Sequence, residues 1–549
     1  MRKKIKYIIR YFHIVWYLLL AVLLLAMRRY LVMLLCKMTR VATTDSLFFK
    51  AYGVVATLVV ITVWCSFFIP GMRKRLYSYW TGRNYRYDIE RYGRSYRELL
   101  DYYKNADHMC LDINTLPDKQ WTDSGGLVFG KLNGKLISYE PNGNGIASMI
   151  WGAPGDGKTT SIIIPSCRQF GMRRNPNGQM RQCGSVMVTD LKGDIYEANK
   201  AFRKIKRFSV INWHDSAHYD PLVDAREMQP NERAVFLENM AITLIPEEGN
   251  PEGKYFIDGA RDFYTGIALY LLNKDPSISF PEIIEQIVVG NFADWVLKIK
   301  ESDDLAAQAY TNHFYGENEK NVGGTYSKLV SCVRLFSNSI MKTLLVNDPD
   351  AISPEDLEKG IDIYIQIDPN QITLLGPLIA MIYQAFMSKM LYRKQNQNPP
   401  IAFVMDEFGQ LPAMPIISQS AALMRAYNCS LMFACQSLAM LEQRYGLAGR
   451  KLLMDCVKVN CFLSAMDPDT REWASKLIGT RKVLKVSTSE QISENGSYGR
   501  SVAEERERII EPEEFGNLPN EDAVMIYYQG KYIKAQKTYY FENERKKKR

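Results

Sequence analysis

Apolar positions divide the chain into a hydrophobic N-terminal part and a longer part in which short apolar runs alternate with amphipathic segments. Residues 11–27 form a nearly unbroken apolar run, and residues 51–69 form a second one. Each run is about long enough to cross the hydrocarbon core of a bilayer as a helix. Arg28 and Arg29 follow the first run where a cleavable signal would have small residues. The pattern therefore predicts two transmembrane helices, with a single span and an interfacial segment at residues 30–36 as the alternative.

Lysine and arginine residues on both sides of the apolar runs predict the orientation in the membrane. Basic residues are frequent before residue 11 and again between residues 73 and 97. Positive charge favours the cytoplasmic side, so both ends are expected there, although the connecting residues 28–50 are basic as well. Residues 84–103 interleave tyrosine with arginine, which suits either a helix on anionic lipid headgroups, the favoured interpretation, or stacking on nucleic-acid bases.

Beyond residue 120, short apolar runs alternate with helical patterns, which is typical of a parallel sheet with crossover helices. A β-hairpin is predicted at Leu127–Tyr139 and another at Ile526–Tyr540, the second turning at Gln529 and Gly530. The single runs predicted as strands are Ala147–Trp151, Ser185–Asp190, Phe208–Asn212, Ile361–Asp368, Ile401–Met405, Ser430–Cys435 and Val459–Ser464.

The pattern changes between residues 229 and 337, where strand-type runs are scarce. Strands resume at residue 361, so this region is predicted to be an all-α insertion between two halves of one α/β domain. The polar segment Ser487–Glu504 has no periodicity and is predicted to be a mobile loop. The helices predicted in the insertion are Arg233–Leu244, Tyr255–Leu272, Pro281–Ile287, Phe292–Lys300 and Thr325–Phe336.

The strand predicted at Ala147–Trp151 leads into a full match to the phosphate-loop pattern G-x-x-x-x-G-K-[ST]. Glycines let the backbone turn its N–H groups toward a phosphate, Lys158 adds positive charge at the β- and γ-phosphates, and the Thr159 hydroxyl holds Mg²⁺. A helix predicted from Thr159 places its N-terminus at the anion. The residues predicted to bind ATP are Gly152, Ala153, Pro154, Gly155, Asp156, Gly157, Lys158, Thr159 and Thr160.

A second nucleotide motif follows the buried strand Ile401–Met405. Asp406 is predicted to bind Mg²⁺ with its water shell, and Glu407 to take the proton from the attacking water. Gln436, at the end of a neighbouring strand, is placed to sense the γ-phosphate. Arg425, near the end of the preceding helix, suits an arginine finger that reaches a neighbouring subunit or, equally well from spacing alone, a surface ion pair.

The composition of the chain says more about its binding partners than about its fold. The formal net charge of +9 and the pI of about 8.8 favour polyanionic partners, either nucleic acid or anionic lipid. The ten cysteines form no C-x-x-C pair, and His214 and His218 lack a ligand cluster, so no zinc centre is expected. The cysteines are interpreted as buried apolar residues in a reducing compartment.

In this order, the motifs resemble the coupling proteins of type IV secretion systems, the TraG/TraD-like conjugation ATPases. The resemblance implies a hexameric ring motor with a RecA-like fold, nucleotide roles for Lys158, Thr159, Asp406, Glu407 and Gln436, and an arginine finger at Arg425, which lies 19 positions after Asp406. The segments that carry it are GAPGDGKTTSIIIPS, TDLKGDIYEANKAFR, YDPL, FVMDEFGQLPAM, MFACQS, VNCFLSAMDPDTREWASKLIG and EPEEFGNLPNEDAVMIYYQGKYIKA, after two N-terminal spans.

The predicted protein is thus an α/β, RecA-like P-loop ATPase domain with an inserted all-α domain, preceded by two transmembrane helices. It would be a two-pass protein of the bacterial inner membrane, with a cytoplasmic ATPase body that uses ATP and Mg²⁺. The resemblance implies as partners single-stranded DNA with a covalently attached relaxase, secretion-channel proteins, membrane lipid and further copies of the chain. The predicted parts are a transmembrane anchor (1–75), a linker (76–120), a nucleotide-binding domain (121–228 and 338–541), the insertion (229–337) and a basic tail (542–549).

Three functions fit these features. The first is an ATPase that drives single-stranded DNA and its attached protein into a secretion channel. The second is a docking receptor for relaxase or protein effectors that uses nucleotide only as a switch; the intact Glu407 argues against it. The third, a chromosome-pumping translocase, is disfavoured because the sequence shows no C-terminal winged-helix DNA reader.

Overall fold

The computed structural model describes residues 121–122, 126–132, 134–174, 177, 179–247, 253–395, 399–491 and 497–542, and residues 32, 33, 37, 51, 53, 54 and 57. The chain divides into two units, residues 1–108 and 109–549. In the first unit, the described residues are all helical. The predicted span 11–27, most of the predicted span 51–69, the linker 76–120 and the basic tail beyond residue 542 lie outside the described residues.

Among the described residues, one helical segment, Pro369–Met390, is long and apolar enough to cross a membrane. Most of its apolar window, 61%, is buried inside the protein, as expected for a core helix. The predicted two-pass anchor therefore stays a prediction.

A mixed sheet of twelve strands forms the centre of the second unit in the part of the chain that the structure describes. In chain order, the strands of this unit are β1 (Trp121–Thr122), β2 (Leu127–Leu132), β3 (Lys135–Tyr139), β4 (Ala147–Trp151), β5 (Met172–Arg174), β6 (Met180–Gln182), β7 (Ser185–Thr189), β8 (Ile205–Ser209), β9 (Asp362–Gln366), β10 (Ile401–Met405), β11 (Cys429–Cys435), β12 (Val459–Phe462), β13 (Thr480–Gln491), β14 (Ser497–Arg508), β15 (Ala523–Tyr528) and β16 (Lys531–Gln536). Their order in the large sheet is β1-β3-β2-β16-β15-β12-β4-β11-β10-β7-β9-β8, while β5 pairs with β6 and β13 with β14 in separate sheets.

The strands from β12 to β8 run parallel and form the half of the sheet that carries the nucleotide motifs. β4, β7, β9, β10 and β11 are buried along their whole length, which explains why their sequences are almost continuously apolar. β11 lies between β4 and β10, so the carboxyl ends of these three strands are side by side. This arrangement brings the two predicted nucleotide motifs to one edge of the sheet.

Two antiparallel hairpins extend the sheet beyond β12. β15 pairs with β12, and β16 pairs with β2 through Gln536 and Lys131. The turn between β15 and β16 is at Gln529 (φ 47°) and Gly530 (φ 78°), and two positive φ angles are those of the turns that favour hairpins. The predicted turn is confirmed, but the strands end at Gln536, so the prediction of a hairpin up to Tyr540 is wrong for its last residues.

Helices cover both faces of the sheet, and between β8 and β9 every regular element that the structure describes is helical. Within this region, α5 packs against α4, α8 and α9, and the aromatic rings of Phe263, Phe292, Phe314 and Tyr326 are in mutual contact. In chain order, the α-helices of the second unit are α1 (Ile164–Gln169), α2 (Asp194–Asn199), α3 (Val223–Glu227), α4 (Pro230–Leu244), α5 (Lys254–Lys274), α6 (Phe280–Val289), α7 (Phe292–Lys300), α8 (Leu305–Thr311), α9 (Glu319–Val333), α10 (Ser339–Leu344), α11 (Pro354–Glu358), α12 (Ile372–Met390), α13 (Pro415–Met424), α14 (Leu438–Cys456), α15 (Pro468–Ile478) and α16 (Glu514–Asn517).

Besides the second hairpin, several predicted elements differ from the structure, among them the helix predicted at Thr325–Phe336, which is Glu319–Val333. The loop predicted at Ser487–Glu504 is wrong, because β13 and β14 pair antiparallel from Thr480↔Arg508 to Gln491↔Ser497. Such a ribbon is held by backbone hydrogen bonds, so its sequence needs no apolar alternation; its tip, 492–496, lies outside the described residues.

The helix expected from Glu197 begins earlier, at Asp194, because the Asp190 carboxylate accepts the N–H groups of Ile195 and Tyr196 after Gly193 (φ 80°) turns the chain. The strand expected at Phe208–Asn212 is Ile205–Ser209, where the backbone pairs in register with β9.

Candidate functional site

The phosphate loop leaves the carboxyl end of β4 at Gly152 and returns as a helix at Lys158. Gly155 (φ 88°) and Gly157 (φ 89°) have left-handed backbone angles that only glycine adopts without strain. Gly157 stands directly before the first helical residue, so the loop ends at a helix N-terminus. This local geometry suits the binding of a phosphate group.

Lys158 lies inside the loop. Its side chain is buried, and its Nζ donates hydrogen bonds to the carbonyl oxygens of Gly152, at 2.9 Å, and Ala153, at 3.2 Å. The ammonium group is therefore held across the opening of the loop, where it can exchange these carbonyl partners for phosphate oxygens. The position agrees with the role predicted for this residue.

A hydrogen bond of 2.8 Å joins the two nucleotide motifs, from Thr159 Oγ1 to Asp406 Oδ2. Asp406 is only 7% exposed, and this burial, the largest cause, raises its pKa to about 6. A hydroxyl and a carboxylate are the hard oxygen ligands that Mg²⁺ prefers. A cation beside Asp406 would also offset the cost of burying its charge, so the two residues fit a magnesium site.

Glu407 follows Asp406 in a left-handed backbone conformation (φ 53°), which is uncommon for a residue with a Cβ and is often found at active sites. Its side-chain Oε2 accepts hydrogen bonds from Nε2 of Gln410, at 3.2 Å, and Nε2 of Gln436, at 3.3 Å. Lys192 Nζ lies 3.7 Å from Oε1 of the same carboxylate. The predicted general base and the predicted γ-phosphate sensor are thus direct neighbours.

Asp156 lies within the phosphate loop but does not face its opening. Its Oδ2 accepts the N–H of Ala153, at 2.8 Å, and the hydroxyl of Ser464. Ser464 follows β12, the strand beside β4, and its Oγ also accepts the Ala153 N–H, at 3.0 Å. The carboxylate and the serine therefore brace the start of the loop.

The structure does not bring Arg425 to this cluster. Arg425 is exposed, and its carbonyl oxygen accepts the N–H of Gly145, at 2.9 Å, just before β4 begins. The phosphate loop starts at the other end of this strand, roughly 16 Å away at 3.3 Å per residue. The arginine therefore lies at the opposite edge of the sheet from Lys158.

Sequence reasoning missed three contributors to the site. Lys192 follows β7, a neighbour of β10. Its place after a predicted strand could have indicated that it lies at the edge of the sheet that carries the site. Ser464 had the same signal, because it is the last residue of the predicted strand Val459–Ser464, which the structure places beside the phosphate-loop strand. Residues 537–542 lie beside the loop, but residues 537–540 were assigned to the second hairpin and residue 542 to the basic tail, and nothing in their pattern indicated this position.

Comparison with known proteins gives concordant matches. A family model described as "Type IV secretory system Conjugative DNA transfer" matches residues 113–549. Protein VirD4 of Rhizobium radiobacter is 25% identical in an alignment of 434 residues that covers 76% of this chain and 60% of that protein. Conjugal transfer protein TraG of Escherichia coli is 22% identical in an alignment of 402 residues that covers 66% of this chain and 60% of that protein. The chain thus spans about 60% of the length of these curated relatives.

Solved structures of the plasmid coupling protein TrwB share the fold. The bacterial conjugative coupling protein TrwBdeltaN70 superposes with a TM-score of 0.57 at 17% identity, covering 77% of this chain and 90% of that one. TrwB in complex with ADP and Mg²⁺ gives a TM-score of 0.57 at 16% identity, covering 76% and 89%. This likeness shows that the second unit shares the fold of these coupling proteins, a mixed sheet with a parallel half flanked by helices.

Proposed function

Because this chain belongs to the type IV secretory family of conjugative DNA transfer, we propose that it is a membrane-anchored ATPase that couples a DNA–protein substrate to a secretion channel and drives DNA transfer. The single observation that carries the proposal is the hydrogen bond between Thr159 and Asp406. Through this bond the phosphate loop and the acidic pair, 247 positions apart, are in direct contact, as binding of a Mg²⁺-bound triphosphate requires.

In the proposed reaction, the loop and Lys158 hold the phosphates of ATP, while Thr159 and Asp406 would hold Mg²⁺, which neutralises charge on the β- and γ-phosphates. Glu407 accepts a proton from water as the water oxygen forms a bond to the γ-phosphorus. The bond from that phosphorus to the bridging oxygen breaks, so ADP and inorganic phosphate leave. Gln436, which touches the Glu407 carboxylate, orients the water or the γ-phosphate.

Arg425 would complete the site of a neighbouring copy in a homo-hexamer. Its position at the far end of β4 prevents it from reaching Lys158 of its own chain without a large rearrangement. An exposed arginine at one edge of the sheet and a phosphate loop at the other suit a ring in which each nucleotide lies between two subunits.

The partners proposed for this motor follow from the family and from the charge of +9. They are single-stranded DNA with an attached relaxase, the proteins of the secretion channel, and lipid of the bacterial inner membrane. Basic side chains bind the phosphates of nucleic acid and the headgroups of anionic lipid by the same electrostatic attraction. The two N-terminal apolar runs would anchor the protein in that membrane.

The test is the variant Lys158→Ala in the full chain, with Lys274→Ala as the matched control. Lys274 is an exposed lysine at the end of α5, remote in sequence from both nucleotide motifs. We expect Lys158→Ala to reduce ATP turnover by at least about 100-fold and to abolish DNA transfer, because it removes the charge at the phosphates. Transfer at the wild-type level by this variant would refute the proposal.

Glu407→Gln separates a motor from a nucleotide-switched docking receptor. The amide keeps the size of the side chain but cannot accept the proton, so we expect ATP to bind while turnover falls by about 10²–10⁴-fold. A motor then loses DNA transfer, whereas a receptor that needs only bound nucleotide keeps it. DNA transfer by a variant with no measurable turnover would establish the receptor.

A further inference from the structure

The segment that follows β16, residues 537–542, runs along the phosphate loop; we call it the C-terminal strap. The strap is tied down near its start and at its end, since Lys537 N–H donates to Asp522 O, at 3.1 Å, and Glu542 binds Lys131 Nζ through both carboxylate oxygens, at 2.8 and 2.7 Å. Between these points, Tyr540 N–H donates to the Thr160 carbonyl oxygen, at 3.2 Å. The strap is therefore joined directly to the first turn of the phosphate-loop helix.

Tyr539 is the strap residue whose side chain approaches Gly157. Its ring atom Cε1 is 3.6 Å from the point where a Cβ on Gly157 would be. Its hydroxyl donates to Asp522 Oδ1, at 2.7 Å, and its ring stacks on Phe541 with centroids 5.2 Å apart and an interplanar angle of 20°. The ring is thus held in place by a hydrogen bond and a stacked neighbour.

The side of the loop that Tyr539 occupies differs from the metal side. Thr159 directs its hydroxyl to Asp406, which marks the end of the cradle where the γ-phosphate and metal would lie. Thr160 is the next residue of the helix, and its hydroxyl lies on the side of Gly157 that Tyr539 also approaches. A triphosphate held with its γ-end at Asp406 therefore extends its α-phosphate and nucleoside away from the metal side.

We propose that Tyr539 forms the wall against which the nucleoside of a bound triphosphate packs. This inference rests on the proposed function and deepens it, because it assigns the nucleoside end of the site to a segment far from both nucleotide motifs in sequence. An aromatic ring that is already fixed offers contact area to a purine with little loss of side-chain freedom. Base–aromatic contacts of this kind change affinity by about tenfold or more.

The experiment compares ATP with inorganic tripolyphosphate, which carries the phosphates but no nucleoside. Binding of each probe to the full chain in detergent is measured by calorimetry for wild type, Tyr539→Ala, Tyr539→Phe and the control Tyr392→Ala. Tyr392 is 88% exposed and lies beyond α12. We expect Tyr539→Ala to weaken ATP about tenfold and to leave tripolyphosphate within twofold. Tyr539→Phe keeps the ring and its stacking on Phe541 but loses the bond to Asp522, so it should weaken ATP less than Tyr539→Ala does, while Tyr392→Ala should bind both probes as wild type does.

Each other outcome has a defined meaning. Equal weakening of ATP and tripolyphosphate by Tyr539→Ala would overturn the inference, because the strap would then act only by shaping the loop. Unchanged ATP binding by Tyr539→Ala would overturn it as well. Wild-type protein that binds neither probe would refute the proposed function itself, so the two failures are distinguishable. Retained tripolyphosphate binding shows in the same experiment that the variant is folded around its loop.

Discussion

At the scale of single residues, the buried carboxyl group of Asp406 lowers the stability of the folded chain. Its carboxyl group is buried, and its pKa is raised from the ordinary 3.8 to about 6. A folded-state pKa above the unfolded one means that ionisation destabilises the folded chain: the cost is absent below pH 3.8, grows as pH rises to 6, and is fully present above that. The acid is retained at this cost where a metal ion can offset it.

We therefore predict that Asp406→Asn stabilises the metal-free protein at pH 8 by about 1–3 kcal/mol, because the amide cannot ionise but can still accept from Thr159. Thermal unfolding of the full chain in EDTA at pH 8 and pH 4.5 measures the effect, which should shrink toward zero at the lower pH. A lower unfolding temperature for the variant at pH 8 would contradict the prediction.

A second pair of residues stabilises the parallel sheet from its interior. Arg203 and Asp362 are both fully buried, and the guanidinium also donates to the carbonyl oxygens of Phe170 and Gly184. Arg207, four positions on, instead pairs with Asp215, whose side chain is 95% exposed. The two arginines therefore compare an ion pair whose carboxylate is buried with one whose carboxylate is exposed.

Arg203→Ala is expected to lower the free energy of unfolding by about 3–5 kcal/mol, because it leaves the Asp362 carboxylate buried without its cation. Arg207→Ala should cost only about 0–1 kcal/mol, since water solvates Asp215 in its place. Urea unfolding of the two variants beside wild type measures the difference. Equal losses would show that burial does not control the strength of these pairs.

At the scale of elements, α14 is interrupted at Gly446, where the backbone is not helical. Gly446 has φ 67° and ψ 171°, a combination that is essentially restricted to glycine, and no atom lies within 4 Å of the point where its Cβ would be. Gly323, inside α9, also has open space where its Cβ would be, but its φ is not positive and it lies within a helix. The two glycines thus separate backbone strain from steric contact.

We predict opposite effects for the same substitution at these two sites. Gly446→Ala should destabilise the protein by about 1–3 kcal/mol through backbone strain alone. Gly323→Ala should stabilise it by up to about 1 kcal/mol, because alanine favours the helix. Thermal unfolding of both variants measures these changes in stability. Stabilisation by Gly446→Ala would show that α14 can form a continuous helix.

The elements also show how far sequence patterns predict this fold. β4 and β10 were located to the residue because strands buried on both faces are continuously apolar and end at polar motifs. The place of β11 between them made Gln436 and Glu407 neighbours, which the motif order only suggested. β13 and β14 were missed because a two-stranded ribbon leaves no apolar signature.

The other features that the sequence did not predict are contacts between residues far apart in the chain. Ser464 braces the phosphate loop because β12 pairs with β4, and Tyr539 reaches Gly157 because β16 ends beside β2. The place of Ser464 at a strand end is common among serines, and Tyr539 was predicted to lie within the hairpin, so neither position indicates a contact with the phosphate loop. Only the strand order determines which loop they meet.

At the scale of the whole molecule, the separation of Arg425 from Lys158 predicts shared sites between subunits. We expect Arg425→Ala and Lys158→Ala proteins to be nearly inactive alone and to recover ATP turnover when mixed. An interface that joins Lys158 of the first variant to Arg425 of the second is intact, so mixing should restore roughly a quarter of the wild-type rate if subunits assort at random and sites act independently.

Turnover of mixtures across a series of ratios measures this effect, and Arg173→Ala provides the control, since Arg173 is a half-exposed arginine paired with Glu140. Mixtures of Arg173→Ala with Lys158→Ala should follow simple dilution of the active protein. Failure of the Arg425 mixtures to exceed the sum of their components would place the arginine outside the neighbouring site.

The strand order also has a consequence for biosynthesis. β4 emerges from the ribosome early, but both of its neighbours, β11 and β12, emerge about 280 residues or more later, and β16, the second partner of β2 besides β3, comes later still. At a synthesis rate of about 5–20 residues per second, β4 therefore remains without its neighbouring strands for roughly 15–60 s. A chain whose first segments are directed to a membrane would spend this interval tethered there, so chaperones that shield nascent chains at the bilayer would act on the nucleotide-binding half before it could hold any nucleotide.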